Sequence, residues 1–228
     1  MTRAAPLKAT PPAEVESVHM LLSTLEDMGR ATRAPLSAVA AGESSDPDAF
    51  VADAVHLIAI LHGELPSLFD TAAGVNPDFE TWLEPAAAAF HADRAWLTEL
   101  CVMSGPRTDL SGLSDAEALV RGLRDAMLTL AQSSRNGCAL GSVLAFLNDW
   151  PQLRSAIDNA GTIAFSSRWP APYGEWPDAP LLSATDAAEA AFDARPTMRA
   201  LTFGAQQFAQ LHGQLLELIA ARAAARRS

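Results

Sequence analysis

Two histidines of this 228-residue chain lie in nearly identical five-residue segments, LHGEL at 61–65 and LHGQL at 211–215. On a helical wheel, His62 and His212 fall among apolar residues rather than on the polar face. An inward imidazole can bind a ligand or metal, accept a proton, or join a hydrogen-bond network. These two residues are therefore the first candidates for chemistry.

Asp93 adds a carboxylate to the same predicted interior, because it falls on the apolar face of its helix. A buried carboxylate is costly unless it is paired, so we expect His62, His212 or the adjacent Arg94 as its partner. Two interpretations stay open. The three inward residues form either a ligand or metal site inside a helical bundle, or a hydrogen-bond network that fixes the register of the helices.

Glu16-x-x-His19 and Asp53-x-x-His56 have a spacing that helical di-iron proteins use for metal ligands. On the wheels, however, Glu16, Asp53 and His56 point away from the apolar stripes. Metal ligands have to face inward together, so both matches are predicted to be solvated pairs. Neither cysteine has a histidine nearby in sequence and no Gly-x-Ser-x-Gly motif occurs, so a hydrolase has no positive support.

The elements that position these residues are predicted to be helices, since Ala is abundant and apolar residues recur at helical spacing. Residues 1–12 read as a flexible leader, and 13–228 as one all-α domain, a bundle of six to eight helices. The predicted starts are Asp46 before Pro47, Asn76 before Pro77, and a capping box of Ser114 with Glu117.

Prolines and glycines set the other predicted boundaries. The first helix is predicted at 12–30, followed by a small polar linker at 31–46. Pro66 should end or kink the second helix, and Pro85 divides the third stretch in two. A short helix at 151–160 is predicted to close at Gly161. A small helix starting at Ser183 and a final helix at about 197–223 complete the set.

Gly137 and Gly141 lie four residues apart and predict a smooth ridge that another helix can approach closely. A phosphate-binding glycine loop is the alternative, but the spacing and the lysine that it requires are missing.

Residues 162–183 are predicted to form an extended loop over the bundle, because several prolines interrupt helical pattern there. Trp169, Tyr173 and Trp176 make this loop aromatic. It is either a functional lid or a structural strap that fills the open end of the bundle. If the aromatics are exposed, they are anchors for a protein partner or a homodimer.

The formal net charge of −11 argues against nucleic acid as a main partner, since phosphate binding needs clustered Lys and Arg. Arg222, Arg226 and Arg227 are interpreted as cations that stabilise a helix C-terminus. No secretory signal and no membrane-spanning run is visible, so no membrane association is expected. Cys101 and Cys138 are typical of buried thiols in a reducing compartment, which predicts a cytoplasmic protein.

The stretch Ser134–Gly141, leading to Asp149-Trp150, resembles uncharacterised helical proteins of alphaproteobacteria, together with Trp96-Leu97 and 104–106. This likeness implies a helical fold and a cytosolic bacterial setting, but no activity.

The chain also resembles haem oxygenases, in which a proximal histidine on an early helix precedes a glycine-rich distal helix. His19 and Gly137 to Gly141 follow in that order. This resemblance implies a haem-oxygenase-like fold and haem as cofactor. The basic residues that hold haem propionates are not evident.

The residues therefore predict a bundle whose interior, around His62, Asp93 and His212, binds a small ligand or a metal. An interaction module or homodimer without catalysis, and a haem-oxygenase-like or ferritin-like oxidase, are the alternatives.

Overall fold

A computed structural model describes residues 18–106, 112–135, 137–191 and 195–226. These residues form eight α-helices and a short 3-10 helix at Ser166–Arg168, and no strand occurs among them. The all-α prediction is therefore confirmed, whereas the predicted leader at 1–12 lies outside the described residues. The helices are α1 (Val18–Ala40), α2 (Pro47–His62), α3 (Leu68–Val75), α4 (Pro77–Ser104), α5 (Leu113–Ala131), α6 (Cys138–Phe165), α7 (Ala179–Ala191) and α8 (Arg195–Ala225).

Helix α6 is the central element of the bundle. It packs most extensively against α8 and α1, and it also contacts α2, α3, α5 and α7. Its residues from Cys138 to Leu147 are all buried, which is the pattern of a helix surrounded by others. Helices α2 to α5 pack against one another on the other side, with α2 between α4, α5 and α6.

Of the predicted helix starts, two are confirmed and one is wrong. Asp46 caps α2, accepting a hydrogen bond from the amide of Ala49 at 3.3 Å, and Pro47 is the first helical residue. α4 begins at Pro77, as predicted. Ser114, in contrast, lies inside α5, which starts at Leu113 behind a left-handed Gly112 (φ 62°). The N-cap residue Gly112 has no side chain, so no side-chain cap is formed there.

Predicted helix ends and breaks are wrong in three helices. α1 continues through Pro35 to Ala40, where a linker was expected, and α4 passes Pro85. α6 runs through Pro151 and Gly161 to Phe165. An interior proline costs roughly 3 kcal/mol of helix stability. Apolar burial on both sides of the proline offsets this cost, since Trp150 and Leu153 are fully buried.

The predicted loop at 162–183 is shorter than expected. Helix and 3-10 turn extend to Arg168, and α7 starts at Ala179 rather than at Ser183. The irregular segment is 169–178, here called the strap.

The glycine ridge holds α6 and α8 in close, parallel contact. A Cβ on Gly141 would overlap the carbonyl of Leu201, and one on Gly204 would overlap the carbonyl of Cys138. Gly137, with φ 94°, similarly lies against Thr197. The prediction that these glycines admit a neighbouring helix is confirmed.

Replacing Gly141 by Ala should lower the free energy of unfolding by about 1–3 kcal/mol, because the added methyl group forces two backbones apart. Gly122→Ala is the matched control. A Cβ at Gly122, also in a helix interior, meets nothing within 4 Å. It should therefore stabilise the protein by about 0.5–1 kcal/mol through helix propensity. Urea denaturation of both variants measures the difference, and equal effects would contradict the close packing of α6 on α8.

Candidate functional site

The two histidines of the repeated segment meet inside the bundle. His62 is the last residue of α2 and His212 lies within α8. Their Nε2 atoms are 3.1 Å apart, and the residues are 5% and 2% exposed. The two glycines of the repeat have different roles. Gly63 ends α2, whereas Gly213 lies against Thr32 of α1.

Asp149 of α6 fixes the orientation of His212. His212 Nδ1 lies 2.5 Å from Asp149 Oδ2, and Arg33 of α1 donates to the other carboxylate oxygen. A carboxylate only accepts, so Nδ1 of His212 carries the hydrogen. In neutral His212, Nε2 is then the acceptor for the Nε2–H of His62. Arg33, Asp149, His212 and His62 thus form one hydrogen-bonded series, which we call the histidine chain.

The charge of Asp149 is stabilised at its buried position. Burial alone acts to raise the pKa of this carboxyl. Hydrogen bonds from His212 and Arg33, together with the guanidinium charge of Arg33, outweigh burial and hold the pKa below its ordinary value. Gly29 leaves room for the ion pair, since a Cβ there would meet both Arg33 and Asp149.

His62 is surrounded by aromatic rings. Its ring stacks on Phe146 at a centroid distance of 5.1 Å, with the rings only 11° from parallel. The ring planes of Phe90 and Trp150 are inclined to that of His62 by 90° and 71°. Burial lowers the pKa of His62 well below its ordinary value, and the nearby His212 and Arg124 add to this. His62 is consequently a neutral imidazole in the folded protein.

Asp93 is buried, as its place on the wheel predicted, but the expected partners are wrong. Trp150 Nε1 donates to its Oδ2 at 2.8 Å, and Arg154 Nε donates to its Oδ1 at 2.9 Å. Burial raises the pKa of Asp93 even though both donors oppose it. Arg94 instead contacts Nδ1 of His91 at 2.8 Å. Asp93 therefore belongs to a second network, which touches the first where Trp150 meets His62.

The strap is fastened to the bundle. Trp96 Nε1 donates to the carbonyl of Pro170 at 2.9 Å, and Arg154 donates to that of Gly174 at 2.7 Å. Trp169 is buried against Phe165. These contacts agree with a strap that closes the end of the bundle.

The three aromatic residues proposed as partner anchors differ in exposure. Trp176 is partly buried near Phe69, and only Tyr173 is exposed, at 48%. Tyr173 donates a hydrogen bond to Glu99. The strap consequently does not present a cluster of free aromatic side chains to a partner.

The residues that carried the haem-oxygenase resemblance do not form a common site. The side chain of His19 is 83% exposed and lies 3.9 Å from Glu189 of α7. Gly141 is covered by the backbone of α8. A haem ligand and a distal helix are therefore not brought together around these positions.

The di-iron match in α2 has a structural explanation, but not the predicted one. Asp53 is 2% exposed, not solvated, and accepts from Arg222 at 2.8 Å and from Arg226 at 3.2 Å. His56 lies 2.9 Å from the carbonyl of Gly105. α2 is buried on nearly every side, so its wheel has no truly polar face. Arg222 and Arg226 were predicted to stabilise the C-terminus of α8, and they also bind this buried carboxylate. Glu16 and Arg227 lie outside the described residues.

Charge and ligand number disfavour a metal at the histidine pair, although the distance does not. Two metal–nitrogen bonds of about 2 Å at a tetrahedral angle place the nitrogens roughly 3.3 Å apart, close to the observed 3.1 Å. The guanidinium groups of Arg33 and Arg124 disfavour a cation nearby. Among the described residues, no group of three or more His, Cys, Asp or Glu side chains is placed to hold a metal ion.

A small pocket lies beside His62, between the α2–α3 connection and α5. Its volume is about 10 Å³, close to the minimum for one water molecule. Ser67, Phe90, Arg124 and Met127 contribute to its wall. We call it the His62 pocket.

Arg124 holds the rim of the His62 pocket. Its guanidinium donates to the carbonyls of Leu61 (3.2 Å), Glu64 (3.0 Å) and Pro66 (2.9 Å). These carbonyls follow the end of α2, where backbone acceptors lack helical partners. Sequence reasoning missed Arg124, because its helix-borne position gives no sign that three carbonyls converge on it.

Comparison with known proteins supports a family assignment without an activity. A family model described as a family of unknown function, DUF6975, matches residues 25–227. The chain belongs to this family. Neither a curated protein nor a solved structure matches it. The expected likeness to an uncharacterised helical family is confirmed, whereas the haem-oxygenase likeness finds no support.

None of the helices in the described ranges is both long and apolar enough to cross a membrane.

Stability should fall as the pH falls from about 7 to 5. Unfolded His62 takes up a proton near pH 6.5, whereas the folded protein, with its lowered pKa, does so only at a lower pH. Below about pH 6.5 the unfolded state therefore binds more protons, and the free energy of unfolding decreases. Urea denaturation at several pH values should show a flatter dependence for His62→Gln than for the wild type.

His19→Gln is the control for this measurement, because it removes an exposed histidine of α1. The lowered pKa of Asp149 also makes the free energy of unfolding decrease as the pH falls, but at lower pH. The raised pKa of Asp93 makes the free energy of unfolding increase as the pH falls. Both carboxylates are present in all three proteins, so their contributions cancel in the comparison. An unchanged slope in His62→Gln would contradict the neutral, buried imidazole.

Proposed function

We propose that this protein binds a small polar molecule in the His62 pocket and that His62 accepts a proton or hydrogen bond from it. The observation that carries the proposal is the histidine chain, which ends at the wall of a pocket near the surface. Perturbed titratable groups that meet beside a cavity are typical of functional sites.

The tautomers support His62 as the proton acceptor. Its Nε2–H faces His212, which leaves the lone pair of Nδ1 for another molecule. Within the part of the chain that the structure describes, Nδ1 of His62 has no hydrogen-bond partner. A proton that arrives at Nδ1 can be balanced by transfer of the Nε2 proton to Nε2 of His212.

This transfer moves the positive charge from an apolar environment to a position beside a carboxylate. On His62 the charge would sit among aromatic rings and near Arg124, where it is disfavoured. On His212 it lies beside the carboxylate of Asp149, which already binds Nδ1–H at 2.5 Å. A histidine oriented by a carboxylate is a common arrangement for general acid–base catalysis.

Access to His62 requires a movement of the α2–α3 connection. The pocket has room for about one water molecule. Residues 63–66 above it are exposed, with Leu65 exposed by 68%, so their movement breaks hydrogen bonds from Arg124 to Glu64 and Pro66 but no core packing. A bound molecule is therefore expected to be small.

The setting that we propose is the cytoplasm, without nucleic acid as a partner. Cys101 and Cys138 are both free thiols, which favours a reducing compartment. The net charge of −11 disfavours binding to phosphate backbones.

Diethyl pyrocarbonate tests whether His62 is reachable in the folded protein. This reagent acylates an unprotonated imidazole nitrogen, and peptide mass spectrometry locates the product. At pH 7 we expect His62 to react more slowly than the exposed His19 but clearly faster than His212. The Nε2 proton that His62 loses passes to His212, so His212→Gln should slow the reaction of His62 several-fold.

The buried His212 serves as the internal reference for global unfolding. If His62 reacts only at the rate of His212, the pocket does not open and the proposal is wrong. An unchanged rate for His62 in His212→Gln would contradict the proton transfer.

A further inference from the structure

We infer that the molecule bound beside His62 carries a small carboxylate, that Arg124 recognises this group, and that the Glu64 side chain competes for the same guanidinium. This inference rests on the proposed function, and it names the chemical class of the ligand.

Five ion-paired arginine side chains of the described residues are at most 14% exposed. They are Arg33, Arg124, Arg154, Arg222 and Arg226. Four of them have a carboxylate oxygen of a largely buried aspartate within 3.2 Å. Arg124 differs, because its ion-pair partner is Glu64 at 3.9 Å, and the Glu64 side chain is 65% exposed.

The interactions of Arg124 are therefore incomplete for a buried cation. A buried charge is costly unless an opposite charge and hydrogen bonds compensate it. Three backbone carbonyls accept from Arg124, but carbonyls supply no net negative charge. A guanidinium has five N–H donors, so two of them are left for another acceptor.

The remaining wall of the His62 pocket has no negative charge that could compensate Arg124. Neutral His62, Phe90 and Met127 border it, together with Ser67 at the N-terminus of α3. The carboxylate of Asp70 is already bound by the amide and hydroxyl of Ser67, at 2.8 and 2.7 Å. The complement of this pocket is a small anion.

A carboxylate fits this pocket better than a larger anion. Both Nη2 hydrogens of Arg124 are bound to carbonyls, so a carboxylate would accept from Nε–H, which the Glu64 side chain now faces at 3.9 Å. The pocket is close to the size of one water, so even formate needs the 63–66 segment to shift. Glu64 belongs to that segment, and its departure from Arg124 would free the guanidinium and widen the entrance together.

Formate is the probe for this inference, and sodium chloride at the same ionic strength is its control. Formate should protect His62 from diethyl pyrocarbonate and shift its side-chain nitrogen signals in a saturable manner, whereas chloride should not. Glu64→Gln removes the competing carboxylate and should tighten formate binding several-fold. Glu43→Gln removes the same charge from the exposed α1–α2 turn and should leave formate binding unchanged.

Arg124→Gln should abolish the formate effect. If that variant does not fold, the comparison of Glu64→Gln with Glu43→Gln still shows whether the Glu64 side chain competes with formate. The inference is overturned if chloride matches formate, if the two glutamate variants bind formate equally, or if inorganic phosphate binds more tightly than formate. In each of these cases, acylation of His62 without any added anion still tests the proposed function separately.

Discussion

The close contact between α6 and α8 is the constraint on which the polar interior depends. Gly141 and Gly204 bring the two helices together in parallel. Asp149 lies eight residues beyond Gly141, and His212 lies eight residues beyond Gly204. Eight residues span about 12 Å on either helix, so the glycines also set the level at which carboxylate and imidazole meet. A packing feature thereby determines the geometry of the histidine chain.

Adjacent residues of α6 divide the buried charges into two networks. Asp149 faces α1 and α8, where it binds Arg33 and His212. Trp150 faces α4, where it donates to Asp93 and touches His62. In both networks the carboxylate is matched by a guanidinium, so neither leaves a buried negative charge uncompensated. The strap is tied to the second network, because Arg154 binds both Asp93 and the strap.

The helical pattern of the sequence was enough to predict the fold class and to place His62, His212 and Asp93 in the interior. Their partners could not be predicted, because hydrogen bonds across the bundle depend on which helices are neighbours. Arg33 was missed for a more specific reason. Residues 31–46 were predicted to be a linker because they are small and polar, whereas Leu36 and Val39 are buried and α1 continues to Ala40. Asp53 was misplaced because α2 is covered on sides that its wheel marks as polar.

A purely structural explanation of the histidine chain has to account for its cost. Replacing buried charged groups by well-packed apolar residues is often neutral or stabilising in proteins. Helix register is already set by the glycine contacts between α6 and α8 and by aromatic packing around Phe146. The histidine chain adds an asymmetry that register does not need, since one end is a fixed carboxylate and the other a neutral imidazole beside a pocket. That asymmetry, together with the incompletely paired Arg124 at the same pocket, is the structural basis of the proposed site for a small acidic molecule.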